Sequence, residues 1–159
     1  MTTAYPLPDR TKIEQILGLL FDGLETKVGG VFDATSGGGA WFGVFVNDGG
    51  EPVALCGADV HLAASFGASF SMLPPAAVKE AVKSRDLTPV MIENVREIMN
   101  ICTRLVMDAA SAHLKLEQLY PVKSLPPAAA ALLGAPKGRR EFQIQLPKYG
   151  GGVLTLLTA

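Results

Sequence analysis

The segment of residues 89–112 constrains the fold most, because its polar and apolar residues fall on opposite faces of a predicted long helix. Thr88 can cap this helix, and Pro89 fits its first turn, where a missing N–H costs nothing. With Glu93 placed at zero and about 100° per residue, six apolar residues fall between about 120° and 220°. They are Val95, Ile98, Cys102, Leu105, Val106 and Ala109. We therefore expect this face to pack on a sheet and the opposite face to meet solvent.

The opposite face carries a polar stripe that helix stability alone does not explain. On the same count Glu97 lies at about 40°, Asn100 at about 340° and Arg104 at about 20°. Glu93 and Glu97 form a like-charge pair one turn apart, which costs a few tenths of a kcal/mol. Asn100 is a poor helix former in mid-helix with no cap to make. Most polar stripes are solvated faces, but an uncharged amide can also orient a water molecule beside a phosphate.

The remaining chain predicts a single domain over residues 1–159, in the α/β (α+β) class, with an antiparallel-rich sheet packed against long helices. The three strands between residues 26 and 62 are expected to form an antiparallel meander, because their connections are too short for parallel crossovers. Three further helices are predicted at residues 11–25, 75–83 and 126–133. The predicted strands lie at residues 26–34, 40–46, 52–62 and 113–120, with a final hairpin pairing 140–147 with 152–158.

Composition excludes several classes of function. The net charge of −1 gives no basic field for nucleic acid. No apolar run reaches the roughly 18 residues of a membrane span, and the first ten residues do not read as a signal peptide. Cys56 and Cys102 stand in apolar runs without metal-ligand spacing, which predicts core thiols in a reducing compartment and no bound metal. We therefore expect a cytoplasmic protein.

The segment Glu93–Asn100 resembles the phosphatase helix of the CheC/CheX family, which dephosphorylates the chemotaxis response regulator. The family pattern is Ser or Asp, three residues, Glu, two residues, Asn, and a proline about 22 residues later. Glu97 and Asn100 match the Glu and Asn, Glu93 stands at the Ser or Asp position, and Pro121 lies near the expected proline but out of register.

Two other segments bear on this resemblance. Residues 70–74 and the helix after them are similar to the stretch that precedes the family's active helix. Some family members carry a second active helix, but here the first helix reads Glu14-Gln15-Ile16-Leu17, with Leu where Asn would stand. The chain therefore resembles the single-site, CheX-like arrangement.

The resemblance implies a fold, a partner and a role for each site residue. Asn100 would position the water that attacks the phosphoaspartate of a receiver domain, and Glu97 would bind a receiver lysine. Glu93, Arg96 and Arg104 would contact the partner. Mg²⁺ would be carried by the receiver, so no cofactor is expected in this chain, and a homodimer is expected. The residues leave open a non-catalytic receiver-binding or adaptor domain of the same fold, which Glu93 favours because its carboxylate repels a phosphoryl group, and an unrelated function.

Overall fold

The computed structural model describes residues 5–159 and shows one six-stranded antiparallel sheet with five helices. Residues 1–4 lie outside the described part. The prediction that the first ten residues are not a signal peptide therefore falls partly on residues that the structure does not describe. The strands are β1 Glu25–Val28, β2 Trp41–Val46, β3 Pro52–Ala58, β4 Lys115–Pro121, β5 Gly138–Leu146 and β6 Gly150–Thr158. The helices are α1 Arg10–Leu17, α2 Val60–Phe70, α3 Ala76–Ser84, α4 Pro89–Cys102 and α5 Pro127–Gly134.

The strand order β1-β5-β6-β3-β2-β4 corrects the predicted meander. β2 and β3 do pair, as do β5 and β6, but β1 pairs with β5 instead of β2. The connection of residues 29–40 is long enough to carry the chain from one edge of the sheet to the other side of its centre. The strand order also has an internal symmetry. If β1, β2 and β3 are replaced by β4, β5 and β6, and the reverse, the same order is obtained when the sheet is followed from its opposite edge. The chain thus contains two halves of similar topology, led by α1 and α4, which the sequence did not reveal as a repeat.

Helix α2 was not predicted: residues 60–62 were assigned to the preceding strand and residues 63–70 to no element. Asp59 starts the helix by accepting a hydrogen bond from the Leu62 N–H at 2.9 Å, and its other carboxylate oxygen accepts one from the Val153 N–H of β6 at 3.1 Å. Nearly every residue of α2 is buried. A helix that is apolar on all sides shows no amphipathic period, so its sequence resembles that of a buried strand.

Helix α4 ends about ten residues earlier than predicted. A 3₁₀ turn, Thr103–Val106, follows Cys102, and Met107 is extended. The Lys12 ammonium of α1 donates a hydrogen bond to the Met107 carbonyl at 2.6 Å, which satisfies this end of the segment. Arg104 therefore lies on the turn and not on the α-helix. Helix α1 is also shorter than the predicted 11–25.

Both faces of the sheet are covered, so α4 is held against a rigid support. Helices α1 to α4 pack on one face, and α5 with the 29–40 connection packs on the other. Every residue of β2 is buried. Two glycines, Gly43 in β2 and Gly67 in α2, allow α4 to pack close to the sheet and to α2. A Cβ on Gly43 would stand 3.1 Å from Met99 Cβ, and a Cβ on Gly67 would stand 2.7 Å from Met91 Cβ.

Candidate functional site

A groove of about 540 Å³ runs between the exposed face of α4 and the edge strand β4. Helix α4 contributes three polar side chains to it. Strand β4 contributes one apolar and two polar residues. The lining residues are Arg96, Glu97, Asn100, Leu116, Glu117 and Gln118.

The buried face of α4 fixes the orientation of the groove-lining face. Met91, Val95, Ile98, Met99 and Cys102 are all fully buried. One polar residue adds to this: the Asn94 amide donates to the Gly67 carbonyl at 2.8 Å and to the Ser71 hydroxyl at 2.7 Å, tying α4 to the end of α2. Residues on the opposite side of the helix therefore project outward in a fixed arrangement.

Glu97 and Asn100 are both exposed on this outward face, which confirms the predicted accessibility. The Asn100 backbone carbonyl accepts a hydrogen bond from the Thr103 hydroxyl at 2.8 Å. Within residues 5–159, neither the Asn100 side-chain amide nor the Glu97 carboxylate has a hydrogen-bonding partner. Both groups are thus available to a molecule that enters the groove, and the roles predicted for them stay predictions.

Glu93 is paired, which the sequence reasoning missed. The Arg96 guanidinium donates to a Glu93 carboxylate oxygen at 2.9 Å, and the two side chains are 45% and 63% exposed. The two residues are spaced i, i+3, so they are neighbours on the helix surface. This ion pair offsets the repulsion between Glu93 and Glu97, and it places Glu93 beside the groove through Arg96.

The β4 side of the groove carries polar groups that no spacing in the sequence could link to α4. The Tyr120 hydroxyl donates to Glu117, with both carboxylate oxygens at 3.0 Å. Desolvation, followed by this hydrogen bond and the Glu117 charge, raises the pKa of the Tyr120 phenol. Tyr120 packs with the core on the α5 face of the sheet, so this hydrogen bond draws the Glu117 carboxylate toward that face and away from α4. Gln118 pairs with Val44 of the same face, so its amide also points away from α4.

Two predicted positions lie apart from this groove. Arg104 is exposed on the turn after α4 and does not line it. Pro121 ends β4 opposite Trp41 of β2 and does not line it either. The structure thus brings together Arg96, Glu97 and Asn100, with Glu93 attached through Arg96.

The other half of the molecule has a corresponding groove between α1 and β1, with a volume of about 700 Å³. Here Glu14 is already paired with Arg10, at 2.8 Å. Leu17 is fully buried, so α1 offers no amide at the position three residues after its glutamate. The pairing of a free carboxylate with a free amide is found on α4 and not on α1.

Metal-binding and membrane-spanning features were sought over residues 5–159. In that range no three His, Cys, Asp or Glu side chains converge on a point where an ion would be held. No helix in the same range is long and apolar enough to cross a bilayer. Cys56 and Cys102 are buried free thiols, as predicted for core residues, and burial raises the pKa of Cys56.

Comparisons with known proteins bear on the fold. No protein-family model and no curated protein matches the sequence. The structure is similar to the crystal structure of FliY from Thermotoga maritima, with a TM-score of 0.56 and 12% identity, covering 94% of this chain and 82% of that one. The FliM middle domain from Vibrio alginolyticus gives a TM-score of 0.41 and 13% identity, covering 94% and 85%. The likeness to FliY shows that this chain has the CheC/CheX-like fold.

Proposed function

We propose that this chain hydrolyses the phosphoaspartate of a response-regulator receiver domain, in chemotaxis or a related two-component system. The observation that carries the proposal is the pair of unengaged groups on α4, the Asn100 amide and the Glu97 carboxylate, held outward by a helix whose other face is fully buried. Their spacing matches the phosphatase helix that the sequence resembles.

The chemistry required of Asn100 is positioning. In hydrolysis of the acyl phosphate, a water oxygen bonds to phosphorus as the bond from phosphorus to the aspartyl oxygen breaks. The products are the free carboxylate and inorganic phosphate. The Asn100 amide can hold the water by its oxygen and a phosphoryl oxygen by its N–H₂, without adding a charge that repels either. A positioned amide plays the same part in GTP hydrolysis, where it orients the attacking water.

Glu97 supplies docking. Its carboxylate lies one turn before Asn100 and is free to pair with a lysine of the receiver. A bound receiver brings its own Mg²⁺, which neutralises charge on the phosphoryl group. The residues of this chain that line the groove then need only orient the partner and the water.

A receiver-binding domain without turnover is the second candidate. The observation that favours it is the charge on the exposed face of α4, where Glu93 and Glu97 stand beside one cation, Arg96, which is already paired with Glu93. Carboxylates near Asn100 oppose the approach of a phosphoryl dianion unless the partner's lysine and Mg²⁺ balance them.

The test is phosphate release from receiver domains of the same organism, each phosphorylated with a small-molecule phosphodonor. Phosphatase activity predicts that the wild-type chain accelerates the loss of phosphate from at least one receiver. If a receiver binds in its phosphorylated form and its decay rate stays unchanged, the binding domain is the correct description. If no receiver binds or decays faster, the proposed function is wrong.

A further inference from the structure

Arg96 is the one cationic side chain among the residues that line the groove in the described part of the chain. It precedes Asn100 by four residues, so the two side chains are neighbours on the same helix face. A phosphoryl group close enough to Asn100 for its water to be positioned is therefore also within reach of the Arg96 side chain once its guanidinium leaves Glu93.

The contact that holds Arg96 is a weak one. One guanidinium nitrogen, Nη1, donates to Glu93 at 2.9 Å. A guanidinium has five N–H donors, and no other hydrogen bond from this group to residues 5–159 is present. Exposed ion pairs between neighbouring helix residues contribute little, because solvent screens them. Glu93 lies one turn toward the N-terminus of α4 and Asn100 one turn toward its C-terminus, so this contact turns the Arg96 guanidinium away from Asn100 while most of its donors stay free.

A phosphoryl group is a better partner for Arg96 than Glu93 is. It carries close to two negative charges and three acceptor oxygens, and the planar guanidinium matches two of those oxygens at once. An unphosphorylated aspartate in the receiver offers less charge and fewer acceptor oxygens. Since Glu97 repels any anion that enters the groove, Arg96 has to supply the compensating attraction.

We infer that Arg96 is the residue by which this groove distinguishes the phosphorylated from the unphosphorylated state of its receiver partner, and that Arg96 exchanges its contact with Glu93 for one with the phosphoryl group. The inference rests on the proposed function. It gives a purpose to Glu93, which replaces the Ser or Asp of the resembling family: Glu93 and Arg96 act as one ion pair that opens when the phosphoryl group arrives.

The experiment measures the affinity of a receiver domain for this chain with and without beryllofluoride, which mimics the phosphoryl group on aspartate. The wild-type chain is expected to prefer the beryllofluoride form. Arg96→Gln should lower that preference by about tenfold, as expected for a lost charged hydrogen-bond donor. Arg96→Lys keeps the charge and loses the two-point geometry, so its preference for the beryllofluoride form should lie between those of the wild type and Arg96→Gln.

The matched control is Arg10→Gln. Arg10 is also an exposed helical arginine paired with a glutamate, at 2.8 Å in α1, but it lines the other groove. It should leave the preference unchanged. Circular dichroism on both variants checks that the fold is retained.

The outcomes separate the two claims. If the wild-type chain accelerates phosphate loss and Arg96→Gln keeps the full preference for the beryllofluoride form, the inference about Arg96 is wrong and the proposed function stands. If the wild-type chain neither binds nor dephosphorylates any receiver, the proposed function fails, and the inference fails with it. A preference that falls in Arg96→Gln and not in Arg10→Gln supports the inference.

Discussion

The two exposed residues on the outward face of α4, Glu97 and Asn100, can act on a bound partner in different ways. A carboxylate acts at a distance through its charge, so it can help a partner to dock. An amide acts only at hydrogen-bond range, so it can affect the reacting atoms once the partner is in place. Substitutions at the two positions should therefore change different kinetic constants.

Glu97→Gln should raise KM for a phosphorylated receiver by about three- to tenfold and leave kcat nearly unchanged, because an interfacial charge pair is lost. The effect should shrink at high ionic strength, where the wild-type pair is screened. Glu80→Gln, at an exposed glutamate of α3 outside the groove, serves as the control. Steady-state phosphate release at several salt concentrations measures both. A fall in kcat with an unchanged KM would assign Glu97 to the chemistry instead of docking.

At the scale of elements, prediction from sequence worked where one face of an element is polar. Helix α4 was predicted from the period of its apolar residues, and so was the solvent exposure of Glu97 and Asn100. Helix α2 was missed because it is buried on nearly all sides. Arg104 was placed on the stripe by extending the helix past Cys102, where the chain turns instead.

The β4 half of the groove could not be predicted either. Nothing in the sequence shows that residues 116–118 lie beside α4, because that proximity depends on β4 pairing with β2 at the sheet edge. The helix pattern therefore predicts only the α4 residues of the site. The β4 residues are brought to it by strand pairing between segments far apart in the sequence.

Gly67→Ala tests whether the close contact between α2 and α4 sets the position of the groove. The added methyl would stand 2.7 Å from Met91 Cβ and 3.1 Å from Met91 Cα. Overpacking of this kind lowers the free energy of unfolding by about 1–3 kcal/mol. Gly134→Ala, where a Cβ meets nothing within 4 Å, is the control and should not destabilise the protein. Denaturant melts give both values, and equal stability for the two variants would show that α4 can shift without cost.

At the scale of the molecule, the sheet described over residues 5–159 has two edge strands, β1 and β4, of which β4 borders the candidate site. Strand β1 is short, and the exposed apolar side chains Val28 and Val31, 60% and 90% exposed, lie on it and just after it. Edge strands can pair with another chain, and here the exposed apolar side chains favour pairing while Lys27 of β1 opposes it. The expected homodimer therefore fits best through β1, which would leave the groove open to a receiver.

Val28→Lys should convert that dimer to a monomer, because a charged side chain on an edge strand opposes pairing. Val90→Lys is the control: Val90 is a valine of similar exposure, 53%, that lies on α4 and not on β1, so this change should leave the dimer intact. Light scattering at micromolar concentration distinguishes the two states. A wild-type chain that is already monomeric would rule out the dimer.

The most direct measurement of the central claim is a single-turnover experiment on a radiolabelled phosphorylated receiver bound by a saturating excess of this chain. Because docking is complete, only the chemical step is observed. Asn100→Ala is expected to slow phosphate loss by about a hundredfold or more relative to the wild type, down toward the rate of the receiver alone. Equal rates for the wild-type chain and Asn100→Ala would show that the Asn100 amide does not position the attacking water.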